Sequence, residues 1–207
     1  MGEKRVCEGA CLLPQGDVMK RVFIIHGWGG SPQERMIASI AHHLELRGLE
    51  VHVLTMPHTN EPTISEWVAH LVAEVGTIDK DTFFVGHSIG CQTILRFLEK
   101  QKRACGGAVF VAGWFTLQGL ETPEEEAIAA PWLETSFDYE KIKKNLPRSV
   151  AIFSDNDPFV PLDNKDIFRA KLGSEIIVED NKGHFTEGDG AVESITVCNA
   201  LLRLANA

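Results

Sequence analysis

The sequence predicts a three-layer α/β fold: a six-stranded, mostly parallel sheet with helices on both faces and a short lid. Short apolar segments rich in β-branched residues alternate with longer segments of helical periodicity, which is the pattern of β-α units. The chain has 207 residues, 44% of them hydrophobic, and so suits one domain with a sizeable core. In such a fold ligands bind beyond the carboxyl ends of the strands.

Runs that are apolar at almost every position predict strands buried on both faces. These runs are residues 22–25, 51–54, 82–85, 108–111, 150–153 and 176–178. Amphipathic helices are predicted at residues 34–47, 65–75, 88–100, 165–172 and 192–204. Thr63 and Glu66 predict a capping box before the second helix, and Gly48 and Gly173 lie just past two helix ends.

The alternation of strand and helix falters at residues 113–148. This segment is rich in Trp, Phe, Pro and Glu, and we expect it to form a small lid with at most one or two short helices. The folded domain is predicted to span residues 19–207. Residues 1–18 are expected to be an N-terminal extension, disordered or derived from cloning, that takes no part in the fold.

Composition and charge exclude several classes of protein. The formal net charge is -9 without a basic patch, which argues against a nucleic-acid partner. No apolar run approaches the roughly 20 residues of a membrane span, and Glu3, Glu8 and Asp17 interrupt any signal peptide. Five cysteines fit reduced thiols in the cytoplasm. Cys7 and Cys11 lack a matching downstream pair, so we expect neither a metal nor a cofactor.

The strongest motif is Gly86-His87-Ser88-Ile89-Gly90, which follows a predicted strand and precedes a predicted helix. This is the G-x-S-x-G nucleophile elbow, in which a tight turn raises the serine above the sheet and leaves room only for glycine on either side. The five-residue pattern also occurs in ordinary turns, so the presence of a base and an acid must decide whether Ser88 is catalytic. Cys91 on the same helix is expected to be a buried packing residue.

A nucleophilic serine needs a base and an acid, which in this fold follow it in the order Asp, His. His184 lies just past the sixth predicted strand, and Asp157 lies just past the fifth. Asp155 is the competing acid, but the Pro-containing segment after Asp157 would stiffen the loop there, whereas Asp155 resembles a turn residue. His87 is expected to pack or orient. The histidines expected to be structural are His42, His43, His52, His58 and His70.

Backbone amides of Trp28 and Ile89 are predicted to form an oxyanion hole. Trp28 lies in the glycine-rich loop after the first strand, where a dinucleotide site is the alternative, but the G-x-G-x-x-G spacing is not matched. Loop aromatics could wall a substrate pocket or belong to the core, and we expect the pocket. These aromatics are Trp28, Trp114, Phe115, Trp132 and Phe159.

These motifs resemble the retinoblastoma-binding-protein-nine and YdeN family of small serine hydrolases, the bacterial branch most closely. The resemblance rests on His26-Gly27, the segment from Gly86 to Cys91, residues 94–99 and residues 136–142. It implies a minimal α/β-hydrolase fold that lacks the usual first strands, with a triad of Ser88, Asp157 and His184. This chain departs from the family in its extension and around residues 121–132.

The sequence therefore predicts a serine hydrolase that cleaves small carboxylic esters, with activated amides or aminoacyl esters as further substrates, through an acyl-enzyme. The short lid, crowded with bulky side chains, predicts a preference for short acyl groups. The alternative is a hydrolase-fold module that binds a protein partner and keeps an idle triad, because fold alone does not establish activity.

Overall fold

Six parallel strands form one sheet at the centre of the molecule. The computed structural model describes residues 19–190 and 193–206, so the predicted extension at residues 1–18 lies outside the described residues. The strands are β1 (Arg21–Ile25), β2 (Glu50–Val53), β3 (Thr82–His87), β4 (Gly107–Val111), β5 (Ser149–Ser154) and β6 (Glu175–Glu179). Their order across the sheet is β2-β1-β3-β4-β5-β6, and every neighbouring pair is parallel. The predicted sheet is thus confirmed.

Helices cover both faces of this sheet, as predicted. They are α1 (Arg35–Glu45), α2 (Ile64–Val75), α3 (Ile89–Glu99), α4 (Pro123–Glu134), α5 (Tyr139–Asn145), α6 (Asn164–Leu172) and α7 (Ile195–Asn206). Helices α1 and α7 pack on each other, whereas α2, α3, α5 and α6 form a second connected layer. The molecule has the three-layer α/β-hydrolase architecture, and its described residues contain no helix long and apolar enough to cross a membrane.

Burial on both faces holds for the four inner strands and fails at the two edges of the sheet. Strands β3, β4 and β5 are buried at every position, and β1 at every position except Arg21. The edge strands β2 and β6 are partly exposed, which corrects the prediction for residues 51–54 and 176–178. An edge strand has a neighbouring strand on one side only. Charged residues such as Glu50 and Glu175 disfavour pairing of its free edge with another chain.

The helix ends differ in detail from their prediction. Thr63 caps α2 by accepting the Glu66 amide, but the Glu66 carboxylate accepts from the Thr63 hydroxyl at 2.9 Å instead of closing a box on the backbone. A complete capping box lies instead at Thr122 and Glu125, at the start of α4. Gly173 ends α6 in the left-handed conformation with φ of 69°, as its position after the helix predicts.

The lid segment, residues 113–148, contains helices α4 and α5. Trp132 near the end of α4 is buried and donates from its indole nitrogen to the Pro62 carbonyl at 3.0 Å. Buried Arg96 of α3 donates to the carbonyls of Trp132 and Thr135 at 2.8 and 3.0 Å. The carboxyl end of α4 is therefore anchored in the protein interior, while its amino end faces the carboxyl edge of the sheet.

Candidate active site

Ser88 stands on a tight turn between β3 and α3. Its φ of 53° lies in the left-handed region that non-glycine residues rarely adopt, so the predicted helix start at residue 88 shifts to Ile89. Any side chain at Gly90 would place its Cβ 2.4 Å from the Ile25 carbonyl oxygen, and one at Gly86 would lie 2.7 Å from the Ile94 side chain. The turn therefore requires both glycines and holds the Ser88 hydroxyl at the amino end of α3.

Three side chains from three loops meet at this turn. The Ser88 Oγ lies 2.9 Å from His184 Nε2, and His184 Nδ1 lies 2.8 Å from Asp157 Oδ2. A carboxylate only accepts hydrogen bonds, so the Asp157 contact puts the proton of a neutral imidazole on Nδ1 and leaves Nε2 free to accept from Ser88. The Asp157 side chain is 2% exposed and that of His184 13%, which shields their hydrogen bond from water. This arrangement can remove the serine proton during attack.

The structure brings Asp157, and not Asp155, to His184. The second oxygen of Asp157 accepts from the amides of Phe159 and Val160 at 2.9 and 3.0 Å, which fixes the carboxylate from the far side. Asp155 is exposed, and its carboxylate accepts from the Asn181 amide at 2.7 Å. The two carboxylates of this loop thus have different surroundings, one facing the imidazole and the other a neighbouring turn.

Polar residues after β5 attach the loop of His184 to the loop of Asp157. Besides Asp155, the Ser154 hydroxyl accepts from the Lys182 amide at 2.9 Å, and the Asn156 side chain accepts from the Gly183 amide at 2.8 Å. Three consecutive side chains, at residues 154–156, therefore accept hydrogen bonds from three consecutive amides, at residues 181–183. The sequence interpretation missed this function, although small polar residues directly after a buried strand were its visible signal.

Asp189 holds the turn that carries His184 and was also missed. Its carboxylate accepts from the His184 amide at 3.0 Å and from the Thr186 hydroxyl at 2.6 Å. Burial opposes ionisation of this carboxyl, but the hydrogen bonds from Thr186 and His184 outweigh it and lower its pKa. Gly183 has a φ of 52°, and a side chain there would collide with Asp189.

Neither Cys91 nor any histidine other than His184 hydrogen-bonds to the Ser88 hydroxyl within the part of the chain that the structure describes. His87 is buried, and its ring centroid is 5.1 Å from that of His184. The Cys91 thiol donates to the Gly86 carbonyl at 3.2 Å, and burial raises its pKa, so it stays protonated. The five histidines expected to be structural do not line the cavity beside Ser88. Within the described ranges, no group of three or more His, Cys, Asp or Glu could hold a metal ion.

A cavity of about 260 Å³ opens beside Ser88 and His184. Of the aromatics expected at its wall, Trp28, Trp114 and Phe159 line it. Phe115 and Trp132 lie elsewhere: Phe115 packs on Phe168 with ring centroids 4.9 Å apart, and the buried Trp132 donates to the Pro62 carbonyl. The wall also includes three lid residues that the sequence interpretation did not name, because a short, irregular lid offers little periodicity to show which side chains turn inward. These are Leu117, Leu120 and Glu125.

The residues Trp28 and Ile89, whose backbone amides were predicted to form the oxyanion hole, both line this cavity. Neither N–H has a hydrogen-bond acceptor among residues 19–190 and 193–206. The loop of Trp28 is fixed on its outer side, because the Trp28 indole donates to the Asn60 carbonyl at 2.9 Å and the Gly29 amide donates to the Thr59 carbonyl at 2.7 Å.

Comparison with known proteins agrees with this geometry. A family model described as serine hydrolase matches residues 22–201. The chain belongs to the serine hydrolase family. It is similar to YdeN of Bacillus subtilis, with 29% identity over 174 residues, which cover 83% of this chain and 88% of YdeN. The serine hydrolase RBBP9 of Rattus norvegicus is 23% identical over 160 residues, covering 77% of this chain and 78% of RBBP9. The predicted family resemblance is therefore confirmed.

Solved structures extend the likeness to three dimensions. The crystal structure of B. subtilis YdeN superposes with a TM-score of 0.83 at 27% identity, covering 91% of this serine hydrolase and all of YdeN (100%). Est1E from Butyrivibrio proteoclasticus, in a structure with ferulic acid bound, superposes with a TM-score of 0.70 at 14% identity, covering 94% of each chain. The second match shows a shared fold only.

Proposed function

We propose that this serine hydrolase cleaves small carboxylic esters through a triad of Ser88, His184 and Asp157. The observation that carries the proposal is the continuous hydrogen-bond chain from the Ser88 hydroxyl through His184 to Asp157, at the floor of a cavity. Ser88 Oγ attacks the ester carbonyl carbon while His184 Nε2 takes the hydroxyl proton. Asp157 stabilises the imidazolium that forms without accepting the proton itself.

The attack produces a tetrahedral intermediate. It collapses when its bond to the leaving alkoxide breaks and His184 returns the proton to that oxygen. This step leaves Ser88 acylated. A water molecule then enters, loses its proton to His184 and attacks the acyl carbon. The second tetrahedral intermediate releases the carboxylic acid and restores the serine hydroxyl with the same proton.

The negative oxygen of each intermediate would be bound by the amides of Trp28 and Ile89. Both residues line the cavity, and their N–H groups have no acceptor within the described part of the chain. Ile89 also begins helix α3, whose amino end favours negative charge. Loss of one such donor typically costs about 100- to 1000-fold in rate.

His26 supports the orientation of the Trp28 amide. The Met56 amide can only donate, so its 3.3 Å contact makes His26 Nε2 an acceptor and puts the ring proton on Nδ1, which then donates to the Gly27 carbonyl at 2.9 Å. The Gly27 carbonyl and the Trp28 N–H belong to one planar trans peptide and point in opposite directions. Fixing the carbonyl outward therefore turns the N–H toward the cavity.

An ester is the substrate class that fits best, with activated amides or aminoacyl esters as further substrates. The wall around Ser88 is mostly apolar and suits the carbon chain of a small acyl group. The five cysteines predict reduced thiols and a cytoplasmic location, which stays a prediction.

Covalent labelling by a fluorophosphonate, combined with hydrolysis of p-nitrophenyl acetate, tests this proposal. We expect the native protein to be labelled and to hydrolyse the ester, and Ser88→Ala to fold with neither property. A control variant, Ser65→Ala, replaces an exposed serine on helix α2 and should be labelled like the native protein. A folded protein that never labels would contradict the enzyme and favour a module that binds a partner through the same fold.

A further inference from the structure

Glu125 of the lid is the one carboxylate among the residues that line the cavity beside Ser88. No lysine or arginine lines that cavity, and the other titratable side chain at its wall is His184. Whatever enters the cavity therefore meets a single fixed charge. This residue falls within the segment around residues 121–132, which belongs to the lid.

The Glu125 carboxylate is held in place by its own helix. Its Oε2 accepts from the amides of Glu121 and Thr122 at 2.7 and 3.1 Å, and the Thr122 hydroxyl accepts the Glu125 amide at 3.2 Å. These bonds form the capping box at the amino end of α4 and fix the orientation of the carboxylate. They occupy one carboxylate oxygen and leave Oε1 with no hydrogen-bond partner among the described residues, so this oxygen is available to a ligand.

Three aromatic residues line the same space as Glu125. They are Trp28, Trp114 and Phe159. A positive charge over an aromatic face is attracted by the ring quadrupole, and quaternary ammonium groups are commonly bound by such surfaces. Carboxylate and aromatic rings thus favour the same kind of group, and neither favours an anion.

We propose that Glu125 makes this cavity selective for esters whose acyl part carries a positively charged ammonium group, with neutral acyl groups accepted less well and anionic ones rejected. The proposal rests on the proposed function, because it assigns the charge of the acyl group that Ser88 would receive. Glu125 is then a specificity-determining residue that takes no part in the bonds that form and break.

Three ethyl esters of similar acyl length test the proposal: ethyl 4-(trimethylammonio)butanoate, the neutral isostere ethyl 5,5-dimethylhexanoate, and monoethyl glutarate. Each is assayed by ethanol release at physiological salt. For the native protein we expect kcat/KM to fall from the cationic through the neutral to the anionic ester, by on the order of tenfold at each step. Glu125→Gln should compress the cationic-to-anionic ratio by at least tenfold, because a glutamine keeps the capping box but not the charge.

Glu124→Gln is the matched control, since it removes the same charge from the neighbouring residue, which is exposed and does not line the cavity. For Glu124→Gln, the ratio of kcat/KM for the cationic ester to that for the anionic ester should equal the native ratio. The proposal is overturned if the native protein does not discriminate by charge, or if Glu124→Gln compresses the ratio as much as Glu125→Gln does. Failure of the proposed function is distinguishable, because the neutral ester would then remain intact and Ser88 unlabelled.

Discussion

The imidazole of His87 donates a hydrogen bond from Nε2 to the backbone carbonyl of His184 at 2.8 Å. A carbonyl can only accept, so the proton lies on Nε2, while Nδ1 is buried without a partner among the described residues. Burial first, and then the proximity of His184, lowers the pKa of His87 to about 3. The residue before the nucleophile therefore remains neutral and positions the loop of His184.

We expect this buried histidine to make the protein less stable in acid. The unfolded chain protonates His87 near pH 6.5, but the folded protein does so only near pH 3. The contribution of neutral His87 to the free energy of unfolding is therefore complete above about pH 6.5 and is lost as the pH falls toward 3. His87→Gln keeps a donor for the His184 carbonyl but cannot titrate. The free energy of unfolding, measured in urea from pH 7 to pH 4, should fall more steeply with decreasing pH for the native protein than for His87→Gln. The difference in slope should reach about 1.4 kcal/mol per pH unit. Parallel curves for the two proteins would contradict the low pKa.

Much of the fold could be predicted because its signals are local. Strand and helix periodicity identified six strands, and the elbow motif indicated the turn at Ser88, where glycine is sterically required. The cavity wall could not be predicted to the same extent. Phe115 and Trp132 are loop or lid aromatics like Trp114, and only the packing of α4 and α6 decides that they turn inward to the core.

The polar residues after β5 were visible in the sequence, but the groups to which they hydrogen-bond could not be predicted. Asn156 and Gly183 are 27 positions apart, and their contact depends on strands β5 and β6 ending side by side. Asp189 looked like one of many surface acids, although its carboxylate holds the His184 turn. Long-range pairs of this kind leave no periodic pattern in the chain.

The two carboxylates of the β5 loop should separate clearly by mutation. Asp157→Asn would turn an amide toward His184 Nδ1 and disturb its tautomer, with an expected loss in kcat on the order of 10⁴-fold. Asp155→Asn keeps an oxygen that can accept from the Asn181 amide and should retain activity within about threefold, as expected of a distant, structurally conservative change. Ester hydrolysis by purified, folded variants measures both. If Asp155→Asn proves the more damaging, the acid has been assigned wrongly.

Two substitutions of His26 should distinguish its two hydrogen bonds. The amide nitrogen of His26→Asn lies near the position of Nδ1 and can still donate to the Gly27 carbonyl. His26→Gln extends toward Met56 instead and leaves that carbonyl held only by the Gly30 amide. We expect His26→Gln to lower kcat by at least about tenfold with little change in KM, because an oxyanion donor acts mainly in the transition state. His26→Asn should lose less. Equal losses, matched by equal falls in melting temperature, would indicate a structural role alone.

The volume of the cavity predicts an early optimum in acyl length. Each methylene that enters an apolar pocket contributes about 0.8 kcal/mol, or roughly fourfold in kcat/KM, until the pocket is full. A cavity of about 260 Å³ closed by lid residues such as Leu120 should fill after a few carbons, and longer chains then clash. Measured from acetate to palmitate, kcat/KM for p-nitrophenyl esters should therefore peak at short chains. Leu120→Ala should move the peak to longer chains, whereas Leu133→Ala, an exposed change on α4, should leave it in place. A native maximum at palmitate would mean that the lid opens onto a long groove.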